Sequence, residues 1–434
     1  MNFKRKLWLA QHKNDVYKYG TILSLVLIVT ISIIYFTYSK FSSSNEMTMY
    51  ETTVEPFIKN DYFIASYIDG EWSNEIPGKN DGYIVDKIVC DNGAVGTWDN
   101  EEWGINIRNA TQKIKCGVYF KKLAKLTEQL TTLASTDTTN FATDDPDNNI
   151  RYIGKNANSY IYFNCSDYPN QNDNTCEKWK IIGLFKNITK SDGTKEDLVK
   201  IVGVSSFSHE IWFDSDGTFN GTNNWSTSTL MNMLNNNYYN SGPTTKGYFY
   251  RDGDKLEFDI DFTSTGLKND LTRNAIESVV WNLGGNSTLL DVTAEKLYNY
   301  ERSSNVYDNN PVSWTGKIAL SYLSDVVYSI ADGSSYTRAQ CLEQTLRSWS
   351  IGQGGLYDSC LNNVNYSGRN WFLDISNENN YDVAVKTPGT FGFIQSVRQY
   401  SEISYYIDPT LYLKSNIIII SGDGSKSNPY QLKL

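Results

Sequence analysis

The sequence predicts a single-pass N-terminal transmembrane helix followed by an extracellular β-sandwich and a larger α+β domain. An uncharged apolar run at residues 20–38 predicts the helix. After it, short apolar runs separated by turn residues predict strands, first alone and then mixed with helical patterns. Six cysteines follow this apolar run, and they fall into three pairs of near neighbours in the sequence. Cysteine pairs that can form disulfides are typical of proteins in an oxidising, extracellular compartment.

The apolar run has the length of a membrane span. As a helix, its nineteen residues would extend about 28 Å, close to the thickness of the hydrocarbon core of a bilayer. Residues 1–19 carry five basic side chains against one acid, so we expect a cytoplasmic tail there, a spacer at 39–50 and an extracellular C-terminal bulk. The lipid bilayer is then the partner of residues 20–38. A cleaved signal peptide, which would make the protein secreted, and a buried core helix are the alternatives.

The part of the chain after the tail is acidic. The chain has 39 basic and 49 acidic residues, which leaves 34 bases against 48 acids beyond residue 19. This charge argues against nucleic acid and anionic membranes as partners. The two histidines are His12 and His209, so a histidine-based zinc site or a serine triad would depend on His209 alone. Motifs of serine hydrolases, P-loop proteins and zinc proteases are absent.

The cysteines predict disulfides rather than redox or zinc chemistry. No C-x-x-C occurs, and six cysteines allow fifteen connectivities. We expect the neighbouring pairs, which are Cys90 with Cys116, Cys165 with Cys176, and Cys341 with Cys360.

Residues 51–118 are predicted to form the small β-sandwich, from the strand-like segments YFIASYI, YIVDKIVC, WGINIR and KCGVYF. Trp98 and Trp103 lie between the first two cysteines, which favours packing against the disulfide, with sugar stacking as the alternative. A heptad-like leucine pattern predicts a linker helix at 119–134. The polar segment 135–149 is predicted to be a linker that contains the domain boundary.

Residues 150–434 mix strand and helix patterns, as expected of an α+β domain. Strands are predicted at SYIYFN, KWKIIGLF, LVKIVGV, TFGFIQSV, TLYLKS and NIIIIS. Three helices are predicted. The first is capped by Ser226 and buries Leu230, Met233 and Leu234; the second carries Ile276, Val279, Val280 and Leu283 on one face; the third starts at a Thr337–Gln340 capping box and presents Leu342, Leu346 and Trp349.

Several segments in this half occur in an order that resembles a known group of proteins. They are YIYFNCSDY, CEKWKIIGLF, NNWSTSTLMNMLNN, WNLGG, WTGKIALSYLSD, NWFLD, KTPGTFGF and DPTLYLKS. They resemble uncharacterised membrane-anchored surface proteins of Gram-positive gut bacteria, whose closing half is similar to divergent C-type-lectin-like domains. The resemblance implies a cell-surface location and a C-type-lectin-like fold for residues 150–434, but no reaction. Ile407, Asp408 and Pro409 depart from the pattern of that group, which has an arginine near this place.

Acidic residues in and beside KLEFDIDF are the candidate metal site. Period-two spacing predicts one strand face for Glu257, Asp259 and Asp261, with Asp252 and Asp254 in the adjoining turn. These carboxylates suit calcium, or an acid and base pair of the kind that glycosidases use, and a solvated strand face is the alternative. Weaker calcium candidates lie in DSDG (Asp214 and Asp216) and in DDPD (Asp144, Asp145 and Asp147), although neither completes an EF-hand loop.

Aromatic residues are the remaining resource for recognition, at 14% of the chain. The candidate ligand-binding residues are Tyr366, Trp371, Tyr400, Tyr405 and Tyr406, in segments where a lectin-like fold would place long loops. The sequence therefore predicts a surface protein that binds a glycan or a protein without catalysis. A hydrolase that acts on glycans through Glu257, Asp259 or Asp261 and a purely structural envelope protein are the alternatives.

Overall fold

The computed structural model describes residues 14, 18, 22, 24–30, 62–79, 81–110, 113–204, 211–214, 222–242, 244–251, 254–286, 291–304, 310–334, 336–349, 360–365, 370–376, 382–386, 394–398 and 405–434. The chain divides into two compact units, Met1–Lys121 and Lys122–Leu434. The described part is mostly β-sheet with short helices, as predicted for the outer part of the chain.

The predicted tail, membrane helix and spacer lie almost entirely outside the described residues. Residues 24–30 are helical, and Leu25, Val26, Leu27, Ile28 and Val29 are exposed there. Among the described residues, no helix is both long enough and apolar enough to cross a bilayer.

The first unit is built from six strands. They are β1 (Tyr62–Ile68), β2 (Glu71–Ser73), β3 (Tyr83–Cys90), β4 (Val95–Asp99), β5 (Gly104–Arg108) and β6 (Ile114–Lys122). A four-stranded sheet has the order β2-β1-β6-β3, in which β1 runs parallel to β6 and antiparallel to β2. Strands β4 and β5 form a separate antiparallel hairpin.

The core of this unit contains side chains of the sheet and of the hairpin. The Cys90–Cys116 disulfide joins β3 to β6. The rings of Trp98 and Trp103 are 5.3 Å apart, and Trp98 meets Phe120 edge-on at 5.4 Å. Trp103 Nε1 donates to Pro77 O at 2.6 Å. Both tryptophans are half-buried and pack against the hydrophobic cluster that contains Cys116 of the disulfide, as predicted.

The second unit contains the other strands. They are β7 (Phe141–Ala142), β8 (Ile150–Tyr152), β9 (Tyr160–Phe163), β10 (Glu177–Thr189), β11 (Lys195–Gly203), β12 (Thr245–Arg251), β13 (Asp254–Ile260), β14 (Val279–Asn282), β15 (Gly285–Asn286), β16 (Ser313–Gly316), β17 (Ile318–Ala319), β18 (Asn370–Ser376), β19 (Asp382–Lys386), β20 (Ile394–Arg398), β21 (Thr410–Leu413), β22 (Ile418–Ser421) and β23 (Gln431–Lys433). The central antiparallel sheet has the order β17-β21-β11-β10-β8-β7, with β9 also paired to β10. A second sheet has the order β15-β18-β19-β20.

The helices of this unit are short. They are α1 (Leu126–Ala134), α2 (Thr229–Asn232), α3 (Asp270–Ala275), α4 (Ala294–Glu301), α5 (Leu323–Val327) and α6 (Arg338–Glu343). A π-helical segment, Met233–Tyr238, follows α2, and 3-10 turns occupy Trp225–Thr227, Leu346–Trp349 and Cys360–Asn363. The Thr337 capping box is present as predicted, with Thr337 N donating to Gln340 Oε1 at 3.0 Å. The helix that it starts is shorter than predicted, because α6 ends at Glu343 and Leu346 and Trp349 lie in a 3-10 turn.

The other two helices predicted for residues 150–434 also differ from the structure. The prediction of a helix that contains Ile276, Val279, Val280 and Leu283 is wrong. Helix α3 ends at Ala275, and residues 279–282 form β14, which is antiparallel to β16. The spacing of these residues fits a helix, but the β-branched pair and Trp281 suit a strand once β16 is beside them. Helix α2 is capped by Ser228 rather than Ser226, while Leu230, Met233 and Leu234 are buried as predicted.

The predicted linker helix starts later than expected, because residues 119–122 are the end of β6; the helix itself and the predicted polar linker belong to the second unit. Helix α1 begins at Leu126, and its Leu126 and Leu130 are buried in the main core of that unit. In the segment 135–149, Phe141 is buried in β7 and Asp145 is buried beside β8. The boundary between the units therefore lies before the helix, at Lys121–Lys122. The composition of 135–149 suggested a solvent-exposed linker, but some of its side chains are buried in the second unit.

Candidate binding surface

The outer face of the four-stranded sheet in the first unit carries exposed aromatic side chains. Along β6, Cys116, Val118 and Phe120 are buried, whereas the alternate residues Gly117 and Tyr119 are half-exposed. In the parallel register, Phe63 pairs with Lys115 and Tyr67 with Tyr119, so the alternate residues of β1 join the same face. We call Phe63, Tyr67, Trp72 and Tyr119 the aromatic platform.

Trp72 is the centre of the platform. It lies on β2 and is 57% exposed. Its ring lies over Gly117, where an added Cβ would come within 2.8 Å of Trp72 Cη2. The rings of Tyr67 and Tyr119 meet Trp72 at 5.1 Å and 5.4 Å, with interplanar angles of 66° and 68°. These contacts fix the indole on its inner side while more than half of it is open to solvent.

Polar groups surround a groove beside the platform. The groove has a volume of about 510 Å³ and includes Phe63, Trp72 and Tyr119 together with Ser73, Asn74, Asp91 and Lys115. Asp91 Oδ1 accepts a hydrogen bond from Lys115 N at 2.7 Å, so this carboxylate is already engaged. Aromatic faces next to hydrogen-bonding groups suit a ligand that has both apolar and hydroxylated surfaces. Glycoside hydrolysis needs two facing carboxyl groups, and Asp91 is the one acid among the described residues that line the groove.

The aromatic residues predicted to bind ligand do not share one exposed surface among the described residues. Trp371 and Tyr405 are 1% and 0% exposed, their rings are 4.8 Å apart, and Trp371 Nε1 donates to Ile211 O at 2.8 Å. They are core residues, because β18 and the segment before β21 run through the interior of the second unit. Tyr406 is half-exposed, and Tyr366 and Tyr400 lie outside the described residues.

The acids predicted to bind metal lie on an open hairpin. Asp254, Glu257, Asp259 and Asp261 are all exposed, and Asp252 lies outside the described residues. Lys246 on β12 bridges Glu257 at 2.9 Å and Asp259 at 2.7 Å. Asp261 follows the end of β13, and a hydrogen bond from Thr263 N lowers its pKa. In the described part of the chain, no group of three or more such residues is arranged to hold a metal ion.

The weaker calcium candidates also have protein partners. Asp144 pairs with Arg338 at 2.7 Å, and Asp147 Oδ2 accepts from Tyr298 Oη at 2.6 Å. Asp214 accepts from Thr222 N and Thr229 N, and Asp216 lies outside the described residues. Asp145 is part of a buried charge cluster.

That cluster lies in the core of the second unit and consists of Asp145, Arg151, Lys200 and Asp325, each with a side chain no more than 1% exposed. Arg151 bridges Asp145 and Asp325 at 2.7 Å each, and Lys200 Nζ lies 2.5 Å from Asp325 Oδ2. Burial lowers the pKa of Lys200 to about 8, although the charge of Asp325 opposes this change.

A second pair of acids is buried nearby. Glu301 accepts from Ser324 N and Oγ, and Asp374 Oδ2 accepts from Leu323 N at 2.6 Å. Burial, and then the charge of Glu301, raise the pKa of Asp374 well above its usual value. Asp374 Oδ1 meets no donor among the described residues, which fits the protonated form that the raised pKa favours.

All three predicted disulfides are confirmed, Cys90–Cys116, Cys165–Cys176 and Cys341–Cys360. Sequence reasoning missed the aromatic platform. The available signal was Trp72 in a polar segment, four residues after an aromatic strand. Comparisons of the chain with protein-family models, with curated proteins and with solved structures gave no match.

Proposed function

We propose that this protein binds a glycan through the aromatic platform, without catalysis. The observation that carries the proposal is the exposed indole of Trp72, held from below by Gly117 and at its edges by Tyr67 and Tyr119. A rigid aromatic ring offers contact area at low entropic cost. Exposed apolar patches rimmed by polar groups mark recognition sites.

A glycan fits this surface better than a protein segment. The platform is aromatic rather than aliphatic, and Ser73, Asn74 and Lys115 supply donors and acceptors at its margin. The apolar face of a sugar ring can lie on an indole while its hydroxyl groups bond to such neighbours. Lys87 Nζ lies 4.5 Å from the centre of the Tyr119 ring, which adds a cation at one side.

The proposed location is the cell surface. Residues 20–38 would anchor the chain in the bilayer with residues 1–19 in the cytoplasm, and the three disulfides are consistent with an extracellular bulk. The resemblance to surface proteins supports the same location. A C-type-lectin-like fold for the second unit is part of this proposal.

A glycan array probed with the intact chain tests the function. We expect saturable binding that falls at least tenfold for Trp72→Ala and is largely kept by Trp72→Phe. Leu271→Ala, which truncates a 55% exposed residue of the second unit, is the control and should bind as the wild type does. Absence of any saturable glycan, or binding that Trp72→Ala leaves unchanged, would refute the proposal. Capture of a protein that depends on Trp72 would replace the glycan with a protein ligand.

A further inference from the structure

A separate cavity lies in the second unit. Its volume is about 270 Å³, which is below the range of drug-sized sites and suits a ligand of one ring. Five aromatic side chains line it, with polar residues between them. The aromatic residues are Phe185, Trp281, Tyr298, Tyr322 and Tyr412.

Arg302 is the more buried of two cations in the wall of this cavity. Its guanidinium carbon lies 3.3 Å from the centre of the Tyr298 ring, so the group is stacked and its orientation is fixed. Nη1 donates to Tyr298 O at 3.1 Å and to Glu301 Oε2 at 2.8 Å. Nη2 makes no hydrogen bond to a residue that the structure describes. Arg302 therefore has donor capacity left on a side chain that is 21% exposed.

The charges at the wall favour an anion. Lys186 also lines the cavity, is exposed, and has no ion pair among the described residues. One carboxylate, Asp147, lies opposite these two cations. Its Oδ2 accepts from Tyr298 Oη at 2.6 Å and forms a long ion pair with Arg302 Nε at 3.9 Å, which leaves Arg302 Nη2 and Lys186 available to an anion. Glu301 partly compensates Arg302 from the buried side. A carboxylate is the anion that matches the free edge of a stacked guanidinium.

Hydroxyl groups of a ligand would also find partners here. Tyr412 and Asn282 line the cavity, and neither the hydroxyl of Tyr412 nor the side-chain amide of Asn282 has a hydrogen-bond partner in the described part of the chain. The rings of Trp281, Tyr322 and Tyr412 offer apolar surface next to them. The cavity thus combines a cation, free polar groups and aromatic rings within the volume of one sugar.

We propose that this cavity binds a hexuronic acid, with its carboxylate on Arg302 and Lys186 and its ring against the aromatic side chains. The site is independent of the aromatic platform, so either can fail without the other.

Calorimetric titration of the intact chain with glucuronate and, separately, with glucose tests the site. We expect glucuronate to bind at least tenfold more tightly than glucose, because only glucuronate offers an anion to Arg302. Arg302→Gln should weaken glucuronate at least tenfold. Lys186→Gln, a change at an exposed position, should weaken it about threefold, and this variant decides the matter if Arg302→Gln fails to fold. Tyr412→Phe should weaken both sugars.

Two control variants separate this site from other surfaces. Arg347→Gln removes an exposed arginine that pairs with Asp291, and it should leave glucuronate binding unchanged. Trp72→Ala should also leave it unchanged. Equal affinity for glucuronate and glucose, no glucuronate binding, or binding that Lys186→Gln does not alter would overturn the proposal. Loss of glucuronate binding in Trp72→Ala would show that glucuronate binds to the aromatic platform, and this result would also overturn the proposal.

Discussion

Replacing Asp325 with alanine should destabilise the second unit strongly. Asp325 accepts from Lys200 at 2.5 Å, from Arg151 at 2.7 Å and from Tyr322 N at 3.0 Å, and all of these groups are buried. Without Asp325, Arg151 keeps Asp145, but Lys200 loses its only hydrogen-bond acceptor among the described residues. Removing one partner of a buried ion pair costs about 3–5 kcal/mol. We expect a loss of this size in the free energy of unfolding at pH 7.

A double variant identifies the source of the lost stability. In Lys200→Met/Asp325→Ala, the uncompensated ammonium is gone, and an apolar side chain replaces it among the rings of Phe185, Tyr322 and Tyr412. Because a buried ion pair can be replaced by apolar groups at little cost, the double variant should lie within about 2 kcal/mol of the wild type. It should therefore be more stable than Asp325→Ala alone.

The pH dependence has a defined sign. The folded pKa of Lys200, about 8, lies below its usual value, so the unfolded chain binds more protons above pH 8 and this group makes stability rise with pH. Loss of Asp325 lowers the folded pKa further, because the charge of Asp325 opposes the effect of burial. The deficit of Asp325→Ala should therefore shrink between pH 7 and pH 9, whereas the double variant should not show this change.

The measurement is urea unfolding of the intact chain by tryptophan fluorescence, with hydrogen exchange in β10 and β11 to assign the transition to the second unit. A deficit below about 1 kcal/mol for Asp325→Ala, or a double variant no more stable than the single one, would refute the reasoning.

Three further changes test other parts of the second unit. Asp374→Asn should leave the protein at least as stable as the wild type at pH 7. Because the raised pKa of Asp374 means that the folded state holds a proton that the unfolded chain releases above about pH 4, the wild type loses stability as the pH rises and the variant should lose less. Urea titrations from pH 4 to 8 measure this difference. Replacing both Cys341 and Cys360 with serine should cost about 3 kcal/mol, which thermal melts with and without reductant would detect. Gly183→Ala should cost about 1–3 kcal/mol in urea unfolding, because the added Cβ would overlap the carbonyl oxygen of Ile150 on the paired strand β8.

Each of these changes has a contrary result that would count against it. A steeper loss of stability with pH in Asp374→Asn would mean that the native carboxyl is ionised. An unchanged melting temperature in the serine variant would mean that the third disulfide does not restrict the unfolded chain. Gly104→Ala is the control for the glycine change, because an added Cβ there meets no atom within 4 Å. A larger loss at Gly104 than at Gly183 would contradict the packing argument.

The features that depend on local sequence could be predicted. The disulfides join neighbouring cysteines, and the capping box at Thr337 needs a partner three residues away. The strand at residues 279–282 could not be separated from a helix, because its partner β16 lies about thirty residues further on and the apolar spacing fits both structures.

The candidate site depends on pairing over longer distances. In YFIASYI, apolar residues occupy both faces of the strand, so the sequence does not say which face is core. The parallel pairing of β1 with β6 decides it and brings Tyr119 beside Tyr67. The buried cluster is hidden for the same reason, because a lone Lys200 within LVKIVGV gives no sign of Asp325, which lies 125 residues away.

The position of β21 has a consequence for biosynthesis. This strand, Thr410–Leu413, lies between β17 and β11 in the central sheet, although every other described strand of that sheet precedes it in the chain. Until it emerges from the ribosome, β11 exposes an unpaired and mostly apolar edge, and exposed edges of this kind recruit other chains. The second unit therefore cannot complete this sheet until residues 410–413 have been synthesised. Chains truncated before residue 410 should aggregate or be degraded, whereas the strands of the first unit come earlier in the chain and are already present to fold.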